Sequence, residues 1–133
     1  MRVLQISTQS RQEFIDITAL VRQIVLQAKI DNGVCLVFCP HTTAGLTINE
    51  NADPLVRQDI IKHLEKLVPD NGGFSHSEGN SAAHIKASLL GSSVSVIIEE
   101  AKLRLGTWQG IYFCEFDGPR AREVYVNPIK SKA

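Results

Sequence analysis

The residues best suited to chemistry in this 133-residue chain lie in one polar run that follows an apolar segment. The run contains His41, Thr42, Thr43 and Glu50, directly after the apolar residues 34–38. Histidine exchanges protons near neutral pH, and a glutamate can act as a general base, a hydrogen-bond partner of histidine or a metal ligand. A buried strand that ends in such groups is typical of a catalytic or ligand-binding site.

Three of the four histidines lie where ligands and acid or base groups are usually found. His41 follows the apolar segment, His76 lies in the polar loop 69–80, and His84 lies near the start of a predicted helix, whereas His63 is within a helix. Together His41, His76 and His84 could bind a divalent metal such as zinc with one position open. Their separations of 35 and 8 residues match no compact ligand motif, so the fold or subunit contacts would have to assemble the site. Alternatively, His84 is only a surface or capping residue.

Several segments favour an anionic ligand, such as a phosphate. Free amides at a helix start bind anions, and Gly79, Asn80 and Ser81 lead into a predicted helix. Thr42 and Thr43 offer further donors, and Arg120 follows a rigid turn. Ordinary turn chemistry is the alternative for each of them.

Two carboxylates near the end of the chain also have two interpretations. Glu115 and Asp117 lie two apart on a predicted strand, so they point to the same face. They could act as an acid and a base, or they could form ion pairs with Arg120 and Arg122. The only tryptophan, Trp108, could pack in the core, against a subunit or on a ring ligand.

Hydrophobic periodicity and turn residues predict the elements that position these side chains. Strands 2–9 and 12–17 are expected to form a hairpin, and Thr18 is expected to cap a helix that ends near Asn32-Gly33. The continuous apolar run 33–39 predicts a strand buried on both faces. Asp53 is expected to cap a second helix that Pro69 ends, and Asn80 or Ser81 a third that Gly91 ends. Further strands are predicted at 46–48, 93–99, 103–105, 110–116 and 122–126.

The order of elements predicts an α+β fold with a mostly antiparallel or mixed sheet and about three helices, because strands and helices do not alternate. The length suits one domain over residues 1–133, and 44% apolar residues can form a core.

Composition excludes several classes of function. There are 14 basic and 14 acidic residues without a basic stripe, which argues against nucleic-acid binding. No apolar stretch reaches transmembrane length, and the N-terminus lacks a signal peptide pattern. Cys35, Cys39 and Cys114 form no CxxC pair and are expected to be small buried hydrophobes rather than metal ligands or redox groups, which favours a reducing cytoplasm.

The runs PHTTAGLTINENADP, HSEGNSAAHIKASLLG and LGTWQGIYFCEFDGPR, with the ending REVYV, closely resemble the YjbQ family, also called UPF0047. This resemblance implies a compact α+β fold, a homotrimer and a secondary thiamine phosphate synthase activity. That reaction joins a hydroxymethylpyrimidine diphosphate to a thiazole phosphate and releases pyrophosphate. The polar residues that match the family are His41, Thr43, Asn49, Glu50, Asp53, His76, Glu78, Asn80, His84, Trp108, Gln109, Glu115, Asp117 and Arg120.

Their roles are assigned here from chemistry. His84, Glu50 and His41 are expected to be catalytic, and His41, His76 and His84 could hold zinc or magnesium. Phosphate groups are expected to contact Thr42, Thr43, Gly79, Asn80, Ser81 and Arg120. The sequence has no DDxxD-like cluster for a magnesium–diphosphate pair, which favours a weak or side activity. A metal-dependent hydrolase and a non-catalytic metabolite-binding trimer are the alternatives.

Overall fold

The computed structural model describes residues 1–132, within which the chain forms eight strands and three helices. The strands are β1 (Arg2–Ser7), β2 (Glu13–Asp16), β3 (Gly33–Phe38), β4 (Ala44–Glu50), β5 (Ser93–Glu99), β6 (Lys102–Leu103), β7 (Gln109–Glu115) and β8 (Ala121–Lys130). The helices are α1 (Thr18–Ala28), α2 (Pro54–Leu67) and α3 (Ser81–Leu90). The predicted α+β class is confirmed.

The strands form two antiparallel sheets. One has five strands in the order β1-β8-β3-β5-β6, and the other has three in the order β2-β7-β4. The main core contains side chains from both sheets and from α1, among them Val21, Val37, Leu46, Phe113 and Val126. Burial of these side chains is the main source of stability.

A second, smaller core covers the other face of the three-stranded sheet. Along β7, Phe113 points into the main core, whereas Tyr112 and Cys114 point into the second one. Ala83 and Ala87 of α3 pack there, and partly buried side chains of α2 complete it. Helices α2 and α3 are thus held on the sheet that carries β4 and β7.

One face of the five-stranded sheet is open. In β3, Cys35 and Val37 are buried, but Val34, Leu36 and Phe38 are 42%, 37% and 40% exposed. The prediction that this strand is buried on both faces is therefore wrong within one chain. Val34 pairs with both Ile97 and Ile129, so these three side chains share a face. The open face is defined here as Val34, Leu36, Phe38, Ile97 and Ile129.

The predicted hairpin of the first two strands is wrong. Strand β1 pairs with β8, whereas β2 pairs with β7 in the other sheet. The connecting segment is held by the Glu13 carboxylate, which accepts hydrogen bonds from the backbone N–H groups of Gln9 and Ser10 at 3.1 and 2.6 Å. The segment 117–120 makes the same change of sheet between β7 and β8, and Gly118 N–H donates to the Arg11 carbonyl at 2.9 Å. The two segments that cross between the sheets, 8–12 and 117–120, are therefore hydrogen-bonded to each other.

The helix ends are mostly as predicted. Asp53 caps α2, because its carboxylate accepts a hydrogen bond from the Leu55 N–H at 2.9 Å, and Gly91 follows α3 with a positive φ of 99°. The N-cap of α1 is Ile17 rather than Thr18. The Thr18 hydroxyl instead accepts a hydrogen bond from Ile111 N–H at 2.9 Å and ties the helix to β7. Among residues 1–132, no helix has both the length and the apolar character needed to cross a bilayer.

Candidate functional site

Two of the predicted histidines meet at the start of α3. The His76 and His84 rings lie edge to face, with centroids 5.5 Å apart. His84 lies one turn into α3, and His76 lies in the preceding loop, where its Nε2 is 3.7 Å from a Glu78 carboxylate oxygen. The fold therefore brings together groups that lie eight residues apart in sequence.

The same helix start carries polar groups from the 117–120 turn. Asn80 is the N-cap residue, but its side chain makes no capping bond and instead donates to the Asp117 carboxylate at 3.0 Å. Arg120 donates to the Asp117 carbonyl at 2.8 Å and to its carboxylate at 3.1 Å. No side chain caps α3, and the Ala83 N–H donates to the Asn80 carbonyl at 3.0 Å, so the Ser81 and Ala82 amides are the ones that lack an intrahelical partner and could bind an anion. We call His76, Asn80, His84, Asp117 and Arg120 the α3-end cluster.

A buried hydrogen-bond network centred on Glu115 and Arg122 holds the 117–120 turn in place. Glu115 and Arg122 form an ion pair whose side chains are 0% and 3% exposed. Glu115 also accepts hydrogen bonds from the Thr8 hydroxyl at 2.8 Å and the Asp117 N–H at 3.1 Å. Burial alone would raise the pKa of Glu115, but the hydrogen bonds from Arg122, Asp117 and Thr8 outweigh it and hold the pKa below its ordinary value. Of the two interpretations of the carboxylates, the structure supports ion pairing.

Thr43 belongs to this network as well. Its hydroxyl accepts a hydrogen bond from Arg122 Nη2 at 2.9 Å, and the residue is buried. Its side chain thus supports Arg122 within the chain, and its contact with phosphate stays a prediction. Thr42 is exposed.

His41 takes no part in the His76–His84 pair. Its Nε2 lies 2.9 Å from the Glu123 backbone nitrogen and 3.1 Å from the Glu123 carbonyl oxygen, so it accepts from the first or donates to the second according to the tautomer. Burial, followed by the nearby Arg122 charge, lowers the pKa of His41. No three His, Cys, Asp or Glu side chains within residues 1–132 are grouped closely enough to hold a metal. One chain thus supplies two of the three expected metal ligands at one place.

Glu50 lies at the opposite end of β4 from the buried network. Ala44 pairs with Glu115, and Glu50 pairs with Gln109, so roughly 20 Å of strand separates the two ends. Trp108 lies at the Glu50 end and is 62% exposed, which rules out core packing. Within one chain, the three expected catalytic residues therefore occupy separate places.

The cysteines behave as predicted. Cys35, Cys39 and Cys114 are buried and free. Burial raises the pKa of Cys35 to about 11, so its thiol is protonated and unreactive at neutral pH.

One charged residue was missed at the sequence level. Lys86 is only 2% exposed, and its ammonium donates to the Gln12 side-chain carbonyl at 3.0 Å. The signal was present, since Lys86 lies four residues after Ala82 on the buried face of α3. A lysine on the apolar face of a helix is rare enough to be noted.

Comparison with known proteins identifies the family. The family model described as UPF0047 protein YjbQ-like matches residues 2–131. The chain is a member of the YjbQ family. A UPF0047 protein of Methanocaldococcus jannaschii is 54% identical over 128 residues, covering 96% of this chain and 93% of that protein. The UPF0047 protein YugU of Bacillus subtilis is 51% identical over 127 residues, covering 95% and 96%.

Solved structures of YjbQ-family proteins have the same fold. A YjbQ/UPF0047 protein of Clostridium acetobutylicum matches with a TM-score of 0.96 and 56% identity over 97% of this chain and all of that one. A protein of Sulfolobus solfataricus, described as YbjQ-like and of unknown function, matches with a TM-score of 0.94 and 34% identity, covering 98% and 96%. The predicted family and architecture are thus confirmed.

Proposed function

We propose that this YjbQ-family protein is an enzyme that acts on a phosphorylated small molecule, with a weak or secondary thiamine phosphate synthase activity. In that reaction the pyrimidine methylene carbon bonds to the thiazole nitrogen as its C–O bond to the diphosphate breaks. Pyrophosphate leaves with the bonding electrons. Catalysis therefore needs groups that stabilise the negative charge developing on the leaving oxygens.

The α3-end cluster is the observation that carries this proposal. The start of α3 and the half-exposed Arg120 guanidinium are joined through Asp117, whose carboxylate accepts hydrogen bonds from both Asn80 and Arg120. Gly79 and Asn80 directly precede α3, and Ser81 is its first residue. This arrangement suits a diphosphate or phosphate group.

His84 is proposed to act on the leaving group. Its ring lies one turn inside the helix, beside His76, and an imidazole N–H there can donate to a departing phosphate oxygen. His41 and Glu50 can join this chemistry only if a second chain brings one of them close, because they lie apart from His84 in a single chain. We propose that a cytoplasmic homotrimer assembles such a site; the family resemblance implies the trimer, and the open face supports it.

Turnover by the His84→Ala variant tests the proposal. Purified protein is given the two phosphorylated substrates, and thiamine phosphate formation is followed by fluorescence after oxidation. Loss of one general acid typically reduces turnover about 10²–10⁴-fold, and we expect a decrease of this size. His63→Ala is the matched control, since His63 is exposed on α2 and lies outside the cluster.

Two results would contradict the enzyme proposal. Undiminished turnover in His84→Ala would remove His84 from the reaction. Tight binding of either substrate to the wild-type protein without turnover would indicate a non-catalytic metabolite-binding protein instead of an enzyme.

A metal-dependent hydrolase is the second candidate, because the adjacent His76 and His84 rings could supply two ligands to zinc. A third would come from a neighbouring chain. Elemental analysis of the wild-type protein and of His76→Ala tests this candidate. The hydrolase candidate requires a stoichiometric divalent metal in the wild-type protein and a marked loss of that metal in His76→Ala. A metal-free wild-type protein whose activity does not rise on addition of zinc would rule it out.

A further inference from the structure

A buried cation lies at the wall of a cavity that the proposed reaction does not use. This cavity has a volume of about 460 Å³, and the charged side chains that line it are Arg11, Glu65, Asp70 and Lys86. Lys86 as a whole residue is only 2% exposed, and its side chain lies against this cavity. The cavity is large enough for a small metabolite.

The other charges of the cavity already have partners. Arg11 forms an ion pair with Asp70 at 2.5 Å, and the Glu65 carboxylate accepts a hydrogen bond from the Gln12 amide at 2.7 Å. Lys86 donates to the carbonyl oxygen of the same Gln12 side chain. Within residues 1–132, this neutral amide is the hydrogen-bond partner that the structure gives the Lys86 ammonium, and no carboxylate lies within ion-pair distance.

Buried charges in proteins are normally paired, because an uncompensated ion in a low-dielectric site is costly. Burial lowers the pKa of Lys86, and this effect outweighs the attraction of Asp70 and Glu65, which raises it. An ammonium has three donors, and one of them is directed to Gln12. The other N–H donors of Lys86 can therefore bind an anionic oxygen that enters the cavity.

We propose that this cavity binds a small oxyanion, a carboxylate or a phosphate, whose oxygen accepts a hydrogen bond from Lys86 and whose charge Arg11 also attracts. Arg11 is half-exposed at the same cavity, so it can reach an incoming ligand while it stays bonded to Asp70. The side chains of this site are distinct from those of the α3-end cluster, although the Arg11 carbonyl accepts a hydrogen bond from Gly118 in the turn between Asp117 and Arg120.

Titration with inorganic phosphate and with acetate tests this site in the full-length protein. The ¹⁵N-labelled lysine ammonium signals are followed by NMR, and thermal denaturation checks the fold of each variant. One or both anions should shift the Lys86 signal. Lys86→Met should weaken that binding about tenfold or more, as expected for the loss of a charged hydrogen bond. Comparison of the two anions identifies the preferred oxyanion.

Matched variants separate a binding site from a structural contact. Lys130→Met removes an exposed lysine and should leave binding unchanged, whereas Lys86→Arg should retain part of it. Arg11→Met provides a second test at the exposed side of the cavity and should weaken binding even if Lys86→Met does not fold. His84→Ala should bind the anion normally, so failure of this site and failure of the proposed enzyme are distinguishable.

Two outcomes would overturn the proposal. One is a Lys86 signal that neither anion shifts. The other is equal anion affinity in the wild-type protein and in folded Lys86→Met, which would make Lys86 only a tie between Gln12 and α3.

Discussion

The Glu115–Arg122 pair has a different role from the other ion pairs of the molecule. Its side chains are buried, and its hydrogen bonds reach Thr8, Thr43 and Asp117. Exposed pairs such as Arg104–Glu99 contribute little, because water screens them. The buried pair instead fixes the turn that carries Arg120, so it positions the proposed site from below.

Removing one member of this pair should therefore be costly. We expect Arg122→Met to lower the free energy of unfolding by about 3–5 kcal/mol, because it leaves the Glu115 carboxylate buried without its cation. Urea denaturation at pH 7 measures this change. Arg104→Met is the control and should change stability by less than about 1 kcal/mol.

The pH dependence of Arg122→Met gives a further check. Without its partner, burial should raise the pKa of Glu115 in the folded variant above the unfolded value. A group with a raised folded pKa favours folding when it is protonated, so the deficit should shrink as the pH falls from 7 towards 5. A deficit that does not depend on pH would contradict this account of Glu115.

At the scale of elements, local signals predicted the helices better than the strand pairing. Asp53 and Pro54 specify the start of α2 through a side-chain cap and a fixed φ, both of which depend on adjacent residues. The partners of β1 and β2 depend on contacts more than 90 residues away, such as Arg2 with Val126 and Glu13 with Glu115. The residues next to β1 and β2 in the sequence do not indicate which strands they pair with.

The Asp53 cap can be measured directly. Asp53→Ala removes the acceptor of the Leu55 N–H bond and should lower the stability by about 1 kcal/mol. Thermal denaturation compared with Asp59→Ala isolates the cap, since Asp59 is exposed inside the same helix and alanine favours helix there. Equal losses in both variants would contradict a capping role.

At the scale of the whole molecule, the open face is the predicted interface between copies of the chain. Val34, Leu36, Phe38, Ile97 and Ile129 form adjacent exposed positions on one side of the five-stranded sheet. Contiguous apolar patches on soluble proteins usually mark an interface. The homotrimer that the family resemblance implies would cover this face.

A charge on the open face should prevent assembly. We expect the wild-type protein to have three times the 14.7 kDa mass of one chain in light scattering, and Leu36→Glu to shift it towards the monomer, because a buried unpaired carboxylate opposes association. Leu26→Glu, at an exposed position on α1, is the control and should remain trimeric. A wild-type monomer, or a trimer that Leu36→Glu leaves intact, would show that this face is not the interface.

The sequence by itself determined the features that short-range chemistry controls. The Asp53 cap of α2, the alternation in β5, the buried cysteines and the ion-pair interpretation of Glu115 and Asp117 all follow from residues close together in the chain. The family motifs likewise gave the fold, since they extend over most of the sequence.

Only the tertiary structure decided which polar groups meet. It placed His76 beside His84 and His41 against Glu123. It also separated Glu50 from the Glu115–Arg122 pair by the length of β4. It also turned Lys86 into a buried cation beside a cavity. These outcomes depend on how the two sheets pack with α2 and α3. Packing brings together residues that are far apart in the chain, and their spacing in the sequence does not indicate the contact.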